Sequence, residues 1–155
     1  MKKVYQKGIK GEGFVREFLY NNKKKFKIVD LAQLDTLLRL YDGSWLHIEV
    51  KTQEPFVKGK NIKFDGHGLP TWQARKYMKL YKEKEIRTML VVVDIQDKIL
   101  YKAYLDELEN GTHKDTSGNK NRRIYPLSNF DIWKEDISNM IEYKKNFIEK
   151  IKSND

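Results

Sequence analysis

One stretch of the sequence, residues 45–51, places a carboxylate and an ammonium group two positions apart. Its letters are WLHIEVK, in which every second residue is aliphatic, a pattern typical of a strand with two unlike faces. Glu49 and Lys51 therefore lie side by side on the face opposite the aliphatic residues. This pair suits the hydrolysis of a phosphodiester bond, because a fixed positive charge stabilises the negative charge that develops in the transition state.

A predicted hairpin brings a second carboxylate to the pair. An Asp-Gly sequence at positions 42 and 43, between two apolar runs, is a strong signal for a tight turn. If the turn pairs Tyr41 with Trp45, then Asp35 lies opposite Lys51 and on the face of Glu49. A slip of one residue would move Asp35 to the other face, so the inference depends on the turn.

These side chains match the requirements of a magnesium ion. Mg²⁺ takes one or two protein carboxylates and keeps waters and substrate phosphate as its other ligands. Asp35 and Glu49 would supply the carboxylates, and the backbone carbonyl of Val50 would add a ligand. Lys51 would hold the attacking water and stabilise the developing charge. The sequence therefore predicts a site for Mg²⁺ or Mn²⁺ on this face.

Other interpretations of the same residues stay open at this point. A Glu-x-Lys pair on a strand is often only a salt-bridged surface pair. Asp30 and Asp42 compete as the second carboxylate, although a strand end explains the first and the turn explains the second. His47 shares the face of Glu49 and would either touch substrate or pack at the edge of the core. His67 lies between two glycines, where a solvated loop histidine is commoner than a proton-transfer group.

Two predicted helices carry further polar side chains toward the same region. The first, over 8–22, contains Glu12 within its apolar pattern, and the alternative is a first-turn glutamate favoured by the helix dipole. The second, over 70–84, starts at a proline, which suits the first turn of a helix. Gln73 is the amide of its inward stripe, where a boundary amide is the alternative. That stripe contains Trp72, Gln73, Tyr77, Leu80 and Tyr81.

The remaining elements predict a mixed sheet within one domain. The apolar run 88–95 indicates a central strand covered on both faces, and the helix before it indicates a parallel crossover from the hairpin. The other predicted elements are a strand over 26–31, a strand over 99–104, a helical turn over 105–109, a flexible loop over 110–121, an edge strand over 122–127 and a final helix over 133–152.

Composition limits the partners. The 155 residues carry 31 Lys and Arg against 22 Asp and Glu, a net charge of +9 that favours a polyanion such as nucleic acid or an anionic membrane. Lys58, Lys60 and Lys63 alternate with Phe56 and Phe64 in a long segment over 52–69, which suits a nucleic-acid backbone and its bases. The sequence has no cysteine, no apolar run of membrane-spanning length and no signal peptide, so we expect a cytoplasmic protein.

The order of motifs resembles the PD-(D/E)xK nuclease superfamily. The run GIKGEGFV on the first helix, Asp35, the run IEVKT and a later helix with Gln73 carry the resemblance over roughly residues 8–95. Restriction endonucleases belong to this superfamily, as do archaeal-type Holliday junction resolvases, which are closest in layout. One departure is Leu34, which stands where the name of the family has proline.

The resemblance implies a fold and a function. The fold would be α/β and restriction-endonuclease-like, a single nuclease domain over 1–155 with a mixed central sheet flanked by helices and a core over about 8–104. The function would be that of a Mg²⁺-dependent endonuclease acting on DNA. Asp35 and Glu49 would bind the metal with help from Glu12, and Lys51 and Gln73 would complete the catalytic set. A homodimer is also implied, because two DNA strands need two sites, and the final helix would supply its interface.

Two alternatives from other classes remain. One is a nucleic-acid-binding protein that keeps the nuclease fold without catalysis. The other is an interaction protein whose basic surface meets an acidic partner or a membrane, although no basic amphipathic helix with a clean apolar face supports a membrane. Nucleotide-binding loops, serine-hydrolase elbows and zinc-protease motifs are missing from the sequence. Its histidines, His47, His67 and His113, are too scattered to indicate a zinc site.

Overall fold

The computed structural model describes residues 26–31, 34–40, 42–117 and 120–138. The predicted helix over 8–22, which contains Glu12, lies outside the described residues, as does the part of the predicted final helix beyond residue 138. No helix in the described ranges is both long enough and apolar enough to cross a membrane.

The described chain forms two sheets and two helices. In chain order the elements are β1 (Phe26–Leu31), β2 (Leu34–Leu40), β3 (Trp45–Gln53), β4 (Gly66–Pro70), α1 (Thr71–Lys84), β5 (Arg87–Asp94), β6 (Ile99–Tyr104), α2 (Leu105–Asn110), β7 (Lys114–Asp115), β8 (Arg122–Pro126), a 3₁₀ turn (Leu127–Asn129) and β9 (Asp131–Lys134). The order in the six-stranded sheet is β1-β2-β3-β5-β6-β9, and that in the three-stranded sheet is β4-β8-β7.

The parallel pair of β3 and β5 is the centre of the larger sheet. Helix α1 lies between them in sequence, so the predicted parallel crossover is confirmed. Antiparallel neighbours extend the sheet on both sides, β2 and β1 beyond β3, and β6 and β9 beyond β5. Strand β5 is buried on both faces, which explains why its sequence is a nearly continuous apolar run.

Each face of the large sheet covers its own hydrophobic core. The aliphatic residues of β3 point into the first core, as their alternation predicts. The second core lies on the side of α1 and takes the other side chains of β5. The first contains Leu38, Leu46, Ile48, Val50, Val91, Val93, Leu100 and Ile137. The second contains Leu69, Ala74, Tyr77, Leu90, Val92, Tyr101, Ala103, Leu105, Leu108, Tyr125 and Phe130.

The predicted register of the hairpin was wrong by two residues. Trp45 pairs with Arg39 instead of Tyr41, and Leu37 pairs with His47 instead of Glu49. A shift of two residues leaves every side chain on the face to which it was assigned, because the strand period is two. The predicted faces of β3 therefore survive although the predicted partners do not.

The backbone conformation of Gly43 in the turn accounts for the difference between the predicted and observed registers. The Leu40 N–H donates to the Ser44 carbonyl over 2.8 Å, and the Gly43 N–H donates to the Leu40 carbonyl over 3.0 Å. Gly43 has a φ of +91°, which a residue with a Cβ rarely adopts. A three-residue hairpin loop needs this conformation at its third position. The turn is thus closed by Leu40 and Ser44, one position earlier than predicted.

The smaller sheet corrects the predictions of a loop over 110–121, which contains β7, and of an edge strand over 122–127. Strand β9 of the larger sheet corrects the predicted start of the final helix. Strand β8 is the middle strand between β4 and β7, instead of an edge strand. Part of the segment over 52–69 forms β4, and a Cβ on Gly68 would lie only 2.0 Å from the Arg123 carbonyl oxygen of β8. The glycines of β4 allow the close approach of the two backbones. Trp133, the predicted start of the final helix, lies in β9, which pairs with β6.

Candidate active site

The face of β3 that meets α1 carries a row of polar side chains. His47 is fully buried and Glu49 is 1 % exposed, while the Lys51 side chain is 21 % exposed. Gln53 follows two residues later on the same face. The row therefore runs from the interior toward water, which excludes the interpretation of Glu49 and Lys51 as an ordinary surface pair.

Glu49 is held by charged and polar neighbours on both oxygens. The Lys51 Nζ lies 2.9 Å from Oε1, and the Tyr77 hydroxyl donates to Oε2 over 2.9 Å. The His47 Nε2 is 3.8 Å from Oε2. Removing a carboxylate from water costs several kcal/mol unless such partners compensate it. The geometry thus fixes both the position and the orientation of the carboxylate.

His47 belongs to the packing of this layer. Its Nδ1 lies 2.9 Å from the Thr88 Oγ1, and its ring centroid lies 4.6 Å from that of Tyr77. Of the two roles expected for His47, packing beside the core is therefore the one that its contacts support.

Gln73 lies one turn before Tyr77 in α1, the helix whose Tyr77 hydroxyl reaches Glu49. The helix ends at Lys84, and β5 begins at Arg87, so α1 runs antiparallel to β3 and β5. Gln73 precedes Tyr77 by one turn, about 6 Å, which matches the step of about 7 Å from Glu49 to Lys51. The Gln73 Oε1 is buried and accepts no hydrogen bond from the described residues.

The predicted inward stripe of α1 is correct only in part. Tyr77 is buried, together with Ala74, which the prediction left out. Trp72 is 63 % exposed and Tyr81 is 39 % exposed, so both point outward. Five residues separate Trp72 from Tyr77, so their side chains point in directions about 140° apart around the helix axis.

The structure describes part of one of the other predicted metal ligands, Asp35, and none of another, Glu12. Asp35 lies in β2, and the register, continued by one residue beyond Thr36 and Ile48, sets its backbone opposite Glu49. The Asp35 side chain and all of Glu12 lie outside the described part of the chain. Within that part, no three His, Asp or Glu side chains gather as a metal cluster. A hard cation prefers oxygen ligands, so the Glu49 carboxylate and the Val50 carbonyl fit it as two members of a larger set.

A second buried polar cluster, which sequence analysis missed, lies at the carboxyl ends of β3 and β5. The His67 Nε2 is 2.8 Å from the Asp94 Oδ2, and its Nδ1 is 2.9 Å from the Gln53 Oε1. His67 and Asp94 are both fully buried, so His67 is not the solvated loop histidine that was expected. The available signal was the Gly-His-Gly run together with an acid ending an apolar strand.

Backbone groups satisfy the rest of this cluster. Asp94 accepts the N–H groups of Gln96 at 3.0 Å and Asp97 at 2.8 Å. The Gln53 amide exchanges two hydrogen bonds of 3.0 Å with the backbone of Gly68. Burial lowers the pKa of His67, and its hydrogen bond to Asp94 opposes that shift. The cluster ties β4 to the ends of β3 and β5 and so anchors the strand that carries Glu49.

Comparison with known proteins bears on the fold alone. The sequence matches no protein-family model and none of the curated proteins. Among solved structures, D212, a nuclease from a fusselovirus, is similar with a TM-score of 0.53 and 10 % identity, over 97 % of this chain and 96 % of that chain. The Holliday junction resolvase Hjc of Archaeoglobus fulgidus gives a TM-score of 0.48 and 15 % identity, over 75 % of this chain and 84 % of that chain. The predicted α/β fold, a mixed central sheet with flanking helices, is confirmed as a nuclease fold.

Proposed function

We propose that this protein is a metal-dependent nuclease of the PD-(D/E)xK type that hydrolyses phosphodiester bonds of DNA. The supporting observation is the buried Glu49 carboxylate with the Lys51 ammonium 2.9 Å away at the edge of solvent. A fold shared with a viral nuclease and a net charge of +9 agree with this function. The charge provides the attraction to a polyanion that any nuclease requires.

The proposed roles follow from position and chemistry. A bound Mg²⁺ or Mn²⁺ would neutralise charge on the phosphate and make a coordinated water more acidic. Glu49 and Asp35 would hold the ion, and the Val50 carbonyl and Glu12 would complete the protein ligands. Lys51 would orient the attacking water and stabilise charge on the phosphate oxygens. Gln73 would accept a hydrogen bond from that water through its buried Oε1.

Tyr77 acts in this proposal as a positioning residue. Its hydroxyl donates to Glu49 Oε2, so the carboxylate keeps one orientation with Oε1 toward Lys51. Fixed geometry matters because a displacement of about 1 Å at a reacting group can cost about 100-fold in rate. The sequence resemblance to junction resolvases makes branched DNA the first substrate to test and a homodimer the first assembly to test.

A cleavage assay tests the proposal. The protein is incubated with supercoiled plasmid, linear duplex and a four-way junction, each with Mg²⁺, with Mn²⁺ or with EDTA. We expect cleavage only with metal, and we expect Glu49→Gln and Lys51→Ala to slow it by about 1,000-fold or more. Glu135→Gln and Lys134→Ala, at exposed positions on and beside the distant edge strand β9, are the matched controls.

Each result decides between functions. Wild-type rates in Glu49→Gln or Lys51→Ala would end the nuclease assignment. Salt-sensitive DNA binding without any metal-dependent cleavage by the wild type would favour a binding protein on a nuclease fold. Neither binding nor cleavage would favour an interaction protein with an acidic partner. The products would separate nicking, degradation from ends and cleavage at a junction.

A further inference from the structure

A groove of about 590 Å³ opens at the start of α1. We call it the Trp72 groove. The residues used below that line it are Thr71, Trp72, Arg75, Asp115, Lys120 and Arg122. Trp72 is 63 % exposed, although it stands next to Gln73 in sequence. A large aromatic face therefore meets water at the edge of a polar groove.

The groove has an excess of positive charge. Arg75, Lys120 and Arg122 line it, against one acid, Asp115. That acid is engaged by Arg123, whose guanidinium donates to its two oxygens over 2.7 and 3.1 Å. This contact lowers the pKa of Asp115, so it stays ionised and paired. The three basic lining residues therefore give the groove a net positive charge.

The first turn of α1 adds features that fit a phosphate. Among the residues that the structure describes, no side chain caps the helix, and its first turn contains no acid. The peptide N–H groups at a helix start carry partial positive charge and commonly bind phosphate. Thr71 is 6 % exposed and lines the groove, and its hydroxyl makes no hydrogen bond to the described residues. The Thr71 N–H itself donates to the Asn121 carbonyl over 3.0 Å, so the peptide N–H groups that follow it are the ones offered to a phosphate.

The basic surface continues from the groove in two directions. Along α1, Arg75, Lys76 and Lys79 are exposed and share the helix face of Trp72, three, four and seven residues after it. Past Asp115, an adjoining groove of about 740 Å³ is lined by residues of the 60–64 segment and of the loop before β8. Its basic and aromatic side chains are Lys60, Lys63, Phe64, His113 and Lys114. This surface offers an extended path for a polyanion.

We propose that the Trp72 groove binds an unpaired stretch of DNA, with one base stacked on Trp72 and its phosphates at the start of α1 and on Arg75, Lys120 and Arg122. The choice of DNA rests on the proposed function, and the inference adds that the substrate has a single-stranded segment. An unpaired base can place its ring face on an indole, whereas the ring faces inside a duplex are covered by neighbouring base pairs and its surface presents mainly phosphates. The combination of one exposed aromatic side chain with basic neighbours therefore favours unpaired DNA over duplex DNA.

Binding of oligonucleotides in EDTA tests the inference without cleavage. A fluorescein-labelled thymidine 20-mer and a duplex of equal length are titrated with the full chain, and fluorescence anisotropy gives Kd. We expect Trp72→Ala to weaken binding of the 20-mer about 10-fold and Trp72→Phe to weaken it much less, because phenylalanine still stacks. Tyr81→Ala, an exposed aromatic on the same helix outside the groove, is the matched control.

A charge variant tests the phosphate contacts. Arg75→Gln should weaken binding of the 20-mer and reduce the slope of log affinity against log salt by about 0.7. Lys84→Gln, at the exposed far end of α1, should leave that slope unchanged. Equal slopes in the two variants would overturn the placement of a phosphate in the groove.

The remaining outcomes are equally decisive. If Trp72→Ala and Tyr81→Ala bind the 20-mer alike, stacking on Trp72 is wrong. If Trp72→Ala weakens the duplex as much as the 20-mer, the surface recognises duplex backbone and the proposal fails. Because all titrations contain chelator, a protein that binds the 20-mer but never cleaves DNA would retain this inference and lose the nuclease assignment.

Discussion

Two buried polar clusters lie on the α1 side of the sheet, and they differ in their access to solvent. Around Glu49, the Lys51 side chain reaches water, and the Gln73 oxygen has no hydrogen-bond partner among the described residues. Around His67, both ring nitrogens are within hydrogen-bond distance of partners, and the side chains of His67 and Asp94 are fully buried.

This difference indicates that the Glu49 cluster is a ligand-binding site and that the His67 cluster stabilises the fold. A cluster whose polar atoms are all satisfied inside the protein stabilises the fold, because its hydrogen bonds leave no capacity for a ligand. A cluster with an exposed cation and an unused acceptor keeps capacity for water, a metal or a phosphate. Gln53 connects the two, since it bonds His67 and lies two residues beyond Lys51 on β3.

The largest expected effect is on the first cluster. Lys51→Ala and Asp35→Asn should each slow DNA cleavage by about 1,000-fold, and the double variant should be little slower than either single one. The effects would not add if, as proposed, both side chains act on the same water and metal. Single-turnover cleavage of plasmid in Mg²⁺ measures the three rates. Multiplication of the two losses in the double variant would show that Asp35 acts elsewhere.

Substitution in the second cluster, around His67, is expected to reduce the stability of the fold. His67→Ala leaves the buried Asp94 carboxylate with one fewer hydrogen-bond partner, which should lower the free energy of unfolding by about 2–3 kcal/mol. Urea denaturation measures this loss. His113→Ala, which removes a partly exposed histidine 3.7 Å from Glu109, should cost less than about 1 kcal/mol. Equal losses in the two variants would contradict the role of His67 as a buried support.

A smaller effect is expected at Tyr77, whose hydroxyl contacts the first cluster. Tyr77→Phe removes the hydroxyl that holds Glu49 Oε2, and we expect cleavage to slow by about 10–100-fold. The loss of one hydrogen bond should cost about 1 kcal/mol of stability. Tyr125→Phe is the matched control, because the Tyr125 hydroxyl donates to Glu109 over 3.1 Å, away from the candidate site. Equal cleavage rates in the two variants would refute the positioning role of Tyr77.

The sequence predicts the first cluster better than the second for a physical reason. Alternation along β3 depends on neighbouring residues, so the common face of Glu49 and Lys51 was visible before any partner was known. The parallel crossover to β5 was also visible, because the length and composition of a buried strand are local properties. The pairing of Asp35 needed the turn geometry of Gly43, and the side-chain position of Asp35 stays a prediction.

Long-range pairing explains what was missed. His67 is buried because β4 pairs with β8, where His67 lies opposite Tyr125, and no local pattern reveals a partner so far along the chain. Trp72 was assigned inward because it is apolar, yet adjacent helix residues differ by about 100° in direction, and Gln73 lies nearer the buried side. Hydrophobicity alone therefore points the wrong way at the position that defines the proposed groove.

The smallest expected effect is on the pH dependence of stability, which distinguishes the burial of His67 from its attraction to Asp94. Burial lowers its pKa, and Asp94 acts in the opposite direction. An unfolded histidine gains a proton near pH 6.5, but the folded one resists until a lower pH. The unfolded state therefore binds more protons below about pH 6.5, so stability falls on acidification, by at most about 1.4 kcal/mol per pH unit for one proton.

Urea denaturation at pH 7.5, 6.5 and 5.5 tests this sign. His67→Gln keeps an amide donor toward Asp94 but does not titrate, and all other groups titrate in both proteins. The wild type should therefore lose more stability than His67→Gln between pH 7.5 and 5.5. A smaller loss in the wild type would mean that attraction to Asp94 outweighs burial, and that His67 is charged in the folded protein. The cluster would then be a buried ion pair, whose stability contribution grows as the pH falls.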